Sequence, residues 1–132
     1  MTNPVRSIQQ SSLPYDVDLV APDGADIRVL LSTGQASMAH GTLAVGQTSL
    51  AVTHRTVDEL WFVVAGSAEM WRKIGDDEST VTAAAGDALT VPLGAAFQYR
   101  TVGDAPFQFI MATMPAWPGS DEAVIVPGPW DG

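Results

Sequence analysis

The sequence predicts an all-β, single-domain protein built as a barrel or sandwich of short strands. Three observations lead there. Apolar, β-branched and aromatic stretches alternate with Gly, Pro, Asp or Asn punctuation throughout the chain, the pattern of sandwiches and barrels. Helix signals are nearly absent, because no window keeps apolar residues at three- and four-residue spacing. The chain has 132 residues, 46% of them hydrophobic and 16% charged, which suits one domain able to bury a core without cross-links.

Taken in order, strands are expected over 15–20, 26–31, 36–44, 48–54, 59–64, 68–74, 79–83, 87–91, 97–101 and 107–114. Turns fall at Pro22–Gly24, Gly46, Gly66, Gly75–Asp77, Ala85–Gly86, Pro92–Gly94 and Gly103–Pro106. Gly-Asp-Asp at 75–77 has the character of a hairpin tip, since Gly accepts positive φ and Asp forms local turns. After Met114 the composition changes. Pro115, Pro118, Pro127 and Pro129, with Trp117 and Trp130, predict an extended tail pinned by its two indoles. The expected organisation is an N-terminal arm with an edge strand over 1–25, a barrel over 26–114 and a Pro/Trp-rich tail over 115–132, packing on the barrel or on a partner subunit. Asp121 and Glu122 read as a solvated acidic pair.

Composition narrows the partners. Six Lys and Arg stand against fifteen Asp and Glu, a net charge of −9. Such a surface repels nucleic acid and anionic membranes. The absence of Cys excludes disulfides, thiolate ligands and a Cys nucleophile. Residues 1–10 hold no apolar stretch of signal-peptide type, and no apolar run approaches a membrane span. The expectation is a soluble, cytoplasmic protein.

The motif that carries chemistry lies between Gly46 and Gly66. Gly46 is followed after five residues by Val52, then Thr53 and His54; Glu59 follows after four more and Gly66 after six. A second motif runs from Gly86 through Pro92 and Gly94 to Phe97. In spacing and order the two resemble the paired motifs of the cupins, over roughly residues 26–114. That resemblance implies a double-stranded β-helix, or jelly-roll, barrel with a ligand pocket inside. The strings 54–61, 69–72, 97–100 and 114–119 further resemble a subgroup of small bacterial single-domain cupins in which Phe97 is usual.

The resemblance also implies a site of three His and one Glu for a metal. Here Val52 and Phe97 occupy two of the His positions, leaving His54 and Glu59. A two-ligand site is weak for a divalent cation. One reading restores a third ligand. If the Gly46 turn closes a simple hairpin, His40 sits opposite Val52 and shares its face with His54. His40, His54 and Glu59 would then hold a divalent transition metal (Mn, Fe, Ni or Zn). The alternative is a metal-free site in which His54 and Glu59 are the candidate catalytic residues, Glu59 tuning His54 as it moves a proton.

Strand alternation places Trp61 and Val63 on the face of Glu59, and Tyr99 on the face of Phe97. With Val52 they form an expected aromatic pocket for a small, partly apolar organic ligand. Glu69, Trp71 and Arg72 read either as a pocket-mouth or interface cluster or as a surface cross-strand set. Sheet edges needing cover predict a homodimer. Two function classes stay open: an enzyme acting on a small molecule, and a non-catalytic sensor or carrier without a metal.

Overall fold

A computed structural model describes residues 7–132; the first six residues of the expected arm lie outside them. Among the described residues eleven strands form two antiparallel sheets. The larger holds β1 (Leu19–Val20), β2 (Asp26–Ser32), β3 (Ser37–Leu43), β10 (Phe107–Met114), β5 (Asp58–Ala65) and β8 (Ala88–Val91), in that spatial order. The smaller holds β11 (Ala123–Ile125), β4 (Val52–His54), β9 (Ala96–Val102), β6 (Ser67–Ile74) and β7 (Asp77–Ala84). The sheets face each other as a jelly roll and enclose one core that includes Leu43, Val63, Met70, Val91 and Phe107.

Local sequence accounts for most of these elements. Along β5, Glu59, Trp61 and Val63 are buried while Asp58, Leu60, Phe62 and Val64 are exposed, the strict alternation of a strand buried on one face. β6 and β7 pair without interruption from Ser67↔Ala84 to Ile74↔Asp77, joined by a two-residue turn with Gly75 at φ 57°. Gly41 on β3 has a different reason. A Cβ there would collide with the Phe109 ring, so its absence lets the ring lie flat on the strand.

The segment expected as one strand over 48–54 is regular only from Val52 to His54, with an isolated bridge between Thr48 and Arg100. It leaves the larger sheet after β3 and joins the smaller one. Ser49 replaces regular ladder bonds on the way, its hydroxyl accepting from Tyr99 N at 3.0 Å and its N–H donating to Tyr99 O at 2.8 Å. The Gly46 turn therefore closes no hairpin. β3 pairs with β2 and β10, and β4 pairs with β9 and β11.

The tail covers its own barrel. β11 adds to β4 in the register Ala123↔His54 and Ile125↔Val52. Gln98, fully buried on the outer face of β9, donates to Trp130 O and accepts from Trp130 N. The Arg100 guanidinium lies 4.3 Å from the centre of the Trp130 ring. Glu122, expected to be solvated, is 3% exposed. It sits in a single 3-10 turn over Ser120–Glu122, and its carboxylate accepts from Thr56 N, Val57 N and Thr56 Oγ1. Three donors left open by the loop between β4 and β5 outweigh the cost of burying one carboxylate. Asp121 is exposed, as expected.

Glu69 and Arg100 form a cross-strand pair, Nη2 to Oε1 3.0 Å. Trp71 is buried and donates to Glu78 at 2.8 Å. None of the helices among the described residues is long and apolar enough to cross a membrane.

Candidate functional site

A cavity of about 260 Å³ opens between the sheets. Its walls are mostly carbon: Val52 on β4, Trp61 on β5, Phe97 and Tyr99 on β9, Phe109 and Met111 on β10. Trp61 stacks on Phe109 with ring centres 4.0 Å apart and meets Phe97 and Tyr99 edge to face. Such contacts hold aromatic rings in fixed orientations, so the wall is a rigid surface. Val63 faces the same way as Trp61 and is fully buried in the core, but it lies farther along β5 and does not line the cavity.

Two polar side chains named from the sequence reach this space. Glu59 is 3% exposed, and its Oε1 accepts from Trp61 Nε1 at 2.7 Å. His54 Nδ1 lies 3.8 Å from Glu59 Oε2 and is buried without a hydrogen-bond partner among the described residues. The gap is too long for a hydrogen bond. Burial, helped by the charges of Asp23 and Glu122, raises the Glu59 carboxyl to about 7 against the opposing pull of the Trp61 N–H. Burial likewise lowers His54, while Glu122 pulls it the other way. Both members favour their neutral forms, so the contact is not an ion pair in the usual sense. His54 is held instead by rings: Phe97 at 5.2 Å and Trp117 at 5.3 Å, both edge to face.

Other residues at the site have no motif to announce them. Asp23 comes from the turn after β1 and lines the cavity. Its Oδ2 accepts from the Tyr99 hydroxyl at 3.2 Å and its Oδ1 from Ala25 N at 3.1 Å. Burial raises its pKa against these bonds. It also carries the Tyr99 phenol well above its usual range, together with the charge of Asp23. In the sequence Asp23 is an ordinary turn residue, and nothing local distinguishes it. Trp117 comes from the tail, positioned where its backbone N–H donates to Ser37 Oγ at 3.0 Å; that hydroxyl pairs in turn with Thr113. The tail's Trp content was the only available signal.

His40 does not belong to this site. Its partners across β2 and β10 are Arg28 and Ile110, while Val52 pairs with Phe97 and Ile125. Ala39 and Gly41, its neighbours on β3, face the interior, so alternation turns His40 to the outer face. There its Nε2 meets Gln108 Oε1 at 3.1 Å. The expected His40, His54 and Glu59 set fails because His40 points to the outer face of the larger sheet, while His54 and Glu59 meet across the cavity.

The remaining donors do not fit a metal. Val52 and Phe97 present carbon where ligands would stand, and one Glu59 oxygen is taken by Trp61. Among the described residues no group of three or more His, Asp or Glu side chains is placed to hold a metal ion.

Comparison with known proteins agrees with this architecture. Oxalate decarboxylase from Bacillus subtilis superposes with a TM-score of 0.68 at 18% identity, over 87% of this chain and 30% of that one. This chain thus spans under a third of that enzyme's length. An uncharacterised conserved protein with a double-stranded β-helix domain from Klebsiella pneumoniae superposes with a TM-score of 0.64 at 22% identity, over 76% and 78% of the two chains. A protein from Bacillus halodurans gives 0.63 at 17% identity, over 75% of each. At these identities the likeness is one of fold. No curated protein matches the sequence significantly. The family described as the cupin domain matches residues 39–113, more than half of the sequence and both motifs, and the chain belongs to the cupin family.

Proposed function

We propose that this cupin binds a small, largely apolar organic molecule inside its barrel, with Glu59 as the polar anchor and His54 as its proton-exchanging neighbour. The observation that carries this reading is a carbon-walled cavity of about 260 Å³ with one carboxyl held near neutrality at its wall. Such a pocket fits the general form of small-molecule sites, apolar with a few convergent polar groups. Protonated, Glu59 donates to a ligand oxygen; ionised, it accepts from a ligand N–H; a neutral His54 Nδ1, without a partner among the described residues, accepts or relays the proton. No step passes through a metal.

Binding is tested with N-phenyl-1-naphthylamine, a neutral fluorophore that brightens in apolar surroundings. Saturable enhancement is expected for the native chain, with loss in Ala39→Phe, which fills the cavity from β3. Equal enhancement in both would place the probe elsewhere and remove the reading. An enzyme and a carrier then separate by proton transfer. An enzyme that moves protons on carbon transfers solvent deuterium to a bound ligand and stops in His54→Gln; a carrier does neither.

The expected homodimer is proposed on the outer face of the larger sheet. Leu60, Phe62 and Val64 stand there in a row, about half exposed, uncharged on a chain of net charge −9. A second copy can meet this row without like-charge repulsion. Sedimentation equilibrium on native and Phe62→Glu chains tests it, a monomeric native chain being the negative result.

A further inference from the structure

We propose that the ligand of this cavity carries a positively charged amine, and that Glu59 with the aromatic wall selects it over neutral and anionic molecules of the same shape. The inference rests on the reading that the cavity binds an organic molecule, and it adds the chemical class.

The lining decides the sign. Asp23, Glu59 and His54 are the titratable groups with Tyr99, and no Lys or Arg is among the lining residues. The groups facing Glu59 are His54 from β4, Tyr99 from β9, Asp23 from the turn after β1 and Glu122 from the tail. Its strand partners Val91 and Thr113 carry no charge. A carboxylate or oxalate-like dianion entering here would be buried beside two acids with nothing to neutralise it, a costly arrangement. An ammonium meets the opposite situation. Trp61 donates to Glu59 Oε1, no donor among the described residues reaches Oε2, and Trp61, Phe97, Tyr99 and Trp117 surround the space. Aromatic rings beside a carboxylate are a recurrent setting for organic cations.

Charge balance gives the inference a signature. With its carboxyl near neutrality, Glu59 is partly protonated before binding and must release that proton to pair with an ammonium. Amine affinity therefore rises with pH, approaching tenfold per unit below about pH 7, and flattens above it. An alcohol of the same shape shows no such rise, and a carboxylate shows the reverse.

The experiment uses benzylamine, benzyl alcohol and benzoate, which share a ring and differ in the charge of the head. Each displaces N-phenyl-1-naphthylamine from the native chain, from Glu59→Gln and from Asp23→Asn between pH 5.5 and pH 8. The expected result is benzylamine bound roughly tenfold more tightly than benzyl alcohol at pH 8, benzoate weakest, and the amine preference lost in Glu59→Gln while the alcohol still binds. Should a variant fail to fold, the opposite pH trends of amine and benzoate on the native chain decide. Equal or better binding of the alcohol or benzoate overturns the charge assignment and leaves the pocket reading intact. Failure of all three to displace a bound probe also overturns it. A native chain that does not bind the probe sinks the pocket reading itself.

Discussion

Glu59 and His54 stand 3.8 Å apart in the barrel, yet the hydrogen bond that orients Glu59 comes from the Trp61 indole, 2.7 Å away, and not from the imidazole. The arrangement leaves one carboxylate oxygen and one imidazole nitrogen facing each other without a bond. It also keeps both groups close to neutral, which makes the site sensitive to pH and to whatever enters it.

Glu59 should make the fold less stable as pH rises. Its carboxyl is pushed up from an ordinary 4.5 to about 7, so between these values the folded chain holds a proton that the unfolded chain has lost. Stability from this group is complete below about pH 4.5 and declines up to about pH 7, by about 3 kcal/mol at most. Glu59→Gln keeps an acceptor for Trp61 and removes the decline. Urea unfolding of both chains at pH 5 and pH 8 should show the difference between them growing in favour of Gln at pH 8. A difference independent of pH would contradict the burial argument.

His54 has the opposite slope. Burial lowers its pKa, so protonation favours the unfolded chain and stability is lost as pH falls below about 6.5. Trp117 supplies part of that burial through an edge contact at 5.3 Å. Trp117→Ala should let water reach the ring and move its pKa up toward the ordinary range. An NMR titration of the imidazole protons checks this, and an unchanged midpoint would show that Trp117 does not shield the ring.

Glu122 should be the most costly single truncation in the tail. Its carboxylate serves Thr56 N, Val57 N and Thr56 Oγ1. Burial pushes its pKa up, but these bonds and His54 outweigh it and hold the carboxyl below the ordinary value. Stability from this group is present above about pH 4.5 and is lost as pH falls through the lowered folded value. Glu122→Ala strands the donors at a cost of about 2–4 kcal/mol at pH 7. Amide exchange should quicken over 119–125 and at Thr56 and Val57. Unaltered exchange at those two amides would show that the clamp is dispensable.

Gly41→Ala tests the close approach of β3 to Phe109. The new Cβ would collide with the ring, which is itself stacked on Trp61. Thermal and chemical unfolding should register a loss of roughly 1–3 kcal/mol together with weaker probe binding, since the displaced ring moves into the cavity wall.

Metal content should stay well below one equivalent after incubation with manganese, iron, nickel or zinc, and His40→Ala should not change it. Mass spectrometry of the desalted protein measures this. Near one equivalent, lost in His54→Ala, would mean that the donor set rearranges to hold a cation.

Much of the architecture was legible before any coordinates. Period-two alternation alone places Glu59, Trp61 and Val63 on one face and Phe97 with Tyr99 on another, because in a strand the direction of a side chain depends only on its neighbours in sequence. The turns were readable for the same reason, being set by local backbone preferences at Gly and Asp. The motif spacing carried the family as far as His54 and Glu59.

What failed is instructive in the same terms. His40 was assigned to the cavity by assuming a hairpin at Gly46 that sets it opposite Val52, but residues 44–51 pass from one sheet to the other, and cross-strand register holds only within one ladder. Asp23 and Trp117 reach the cavity from the arm and the tail, and Glu122 clamps the loop beside it, all far from the motifs in sequence. The sequence by itself determined the strands, their inward faces and the barrel family, since these follow from local geometry and spacing. Only the tertiary structure decided which sheet β4 joins, that His40 faces outward, and that an acid from the arm and an indole from the tail complete the pocket. Such contacts form between residues distant along the chain, where no local preference specifies the partner.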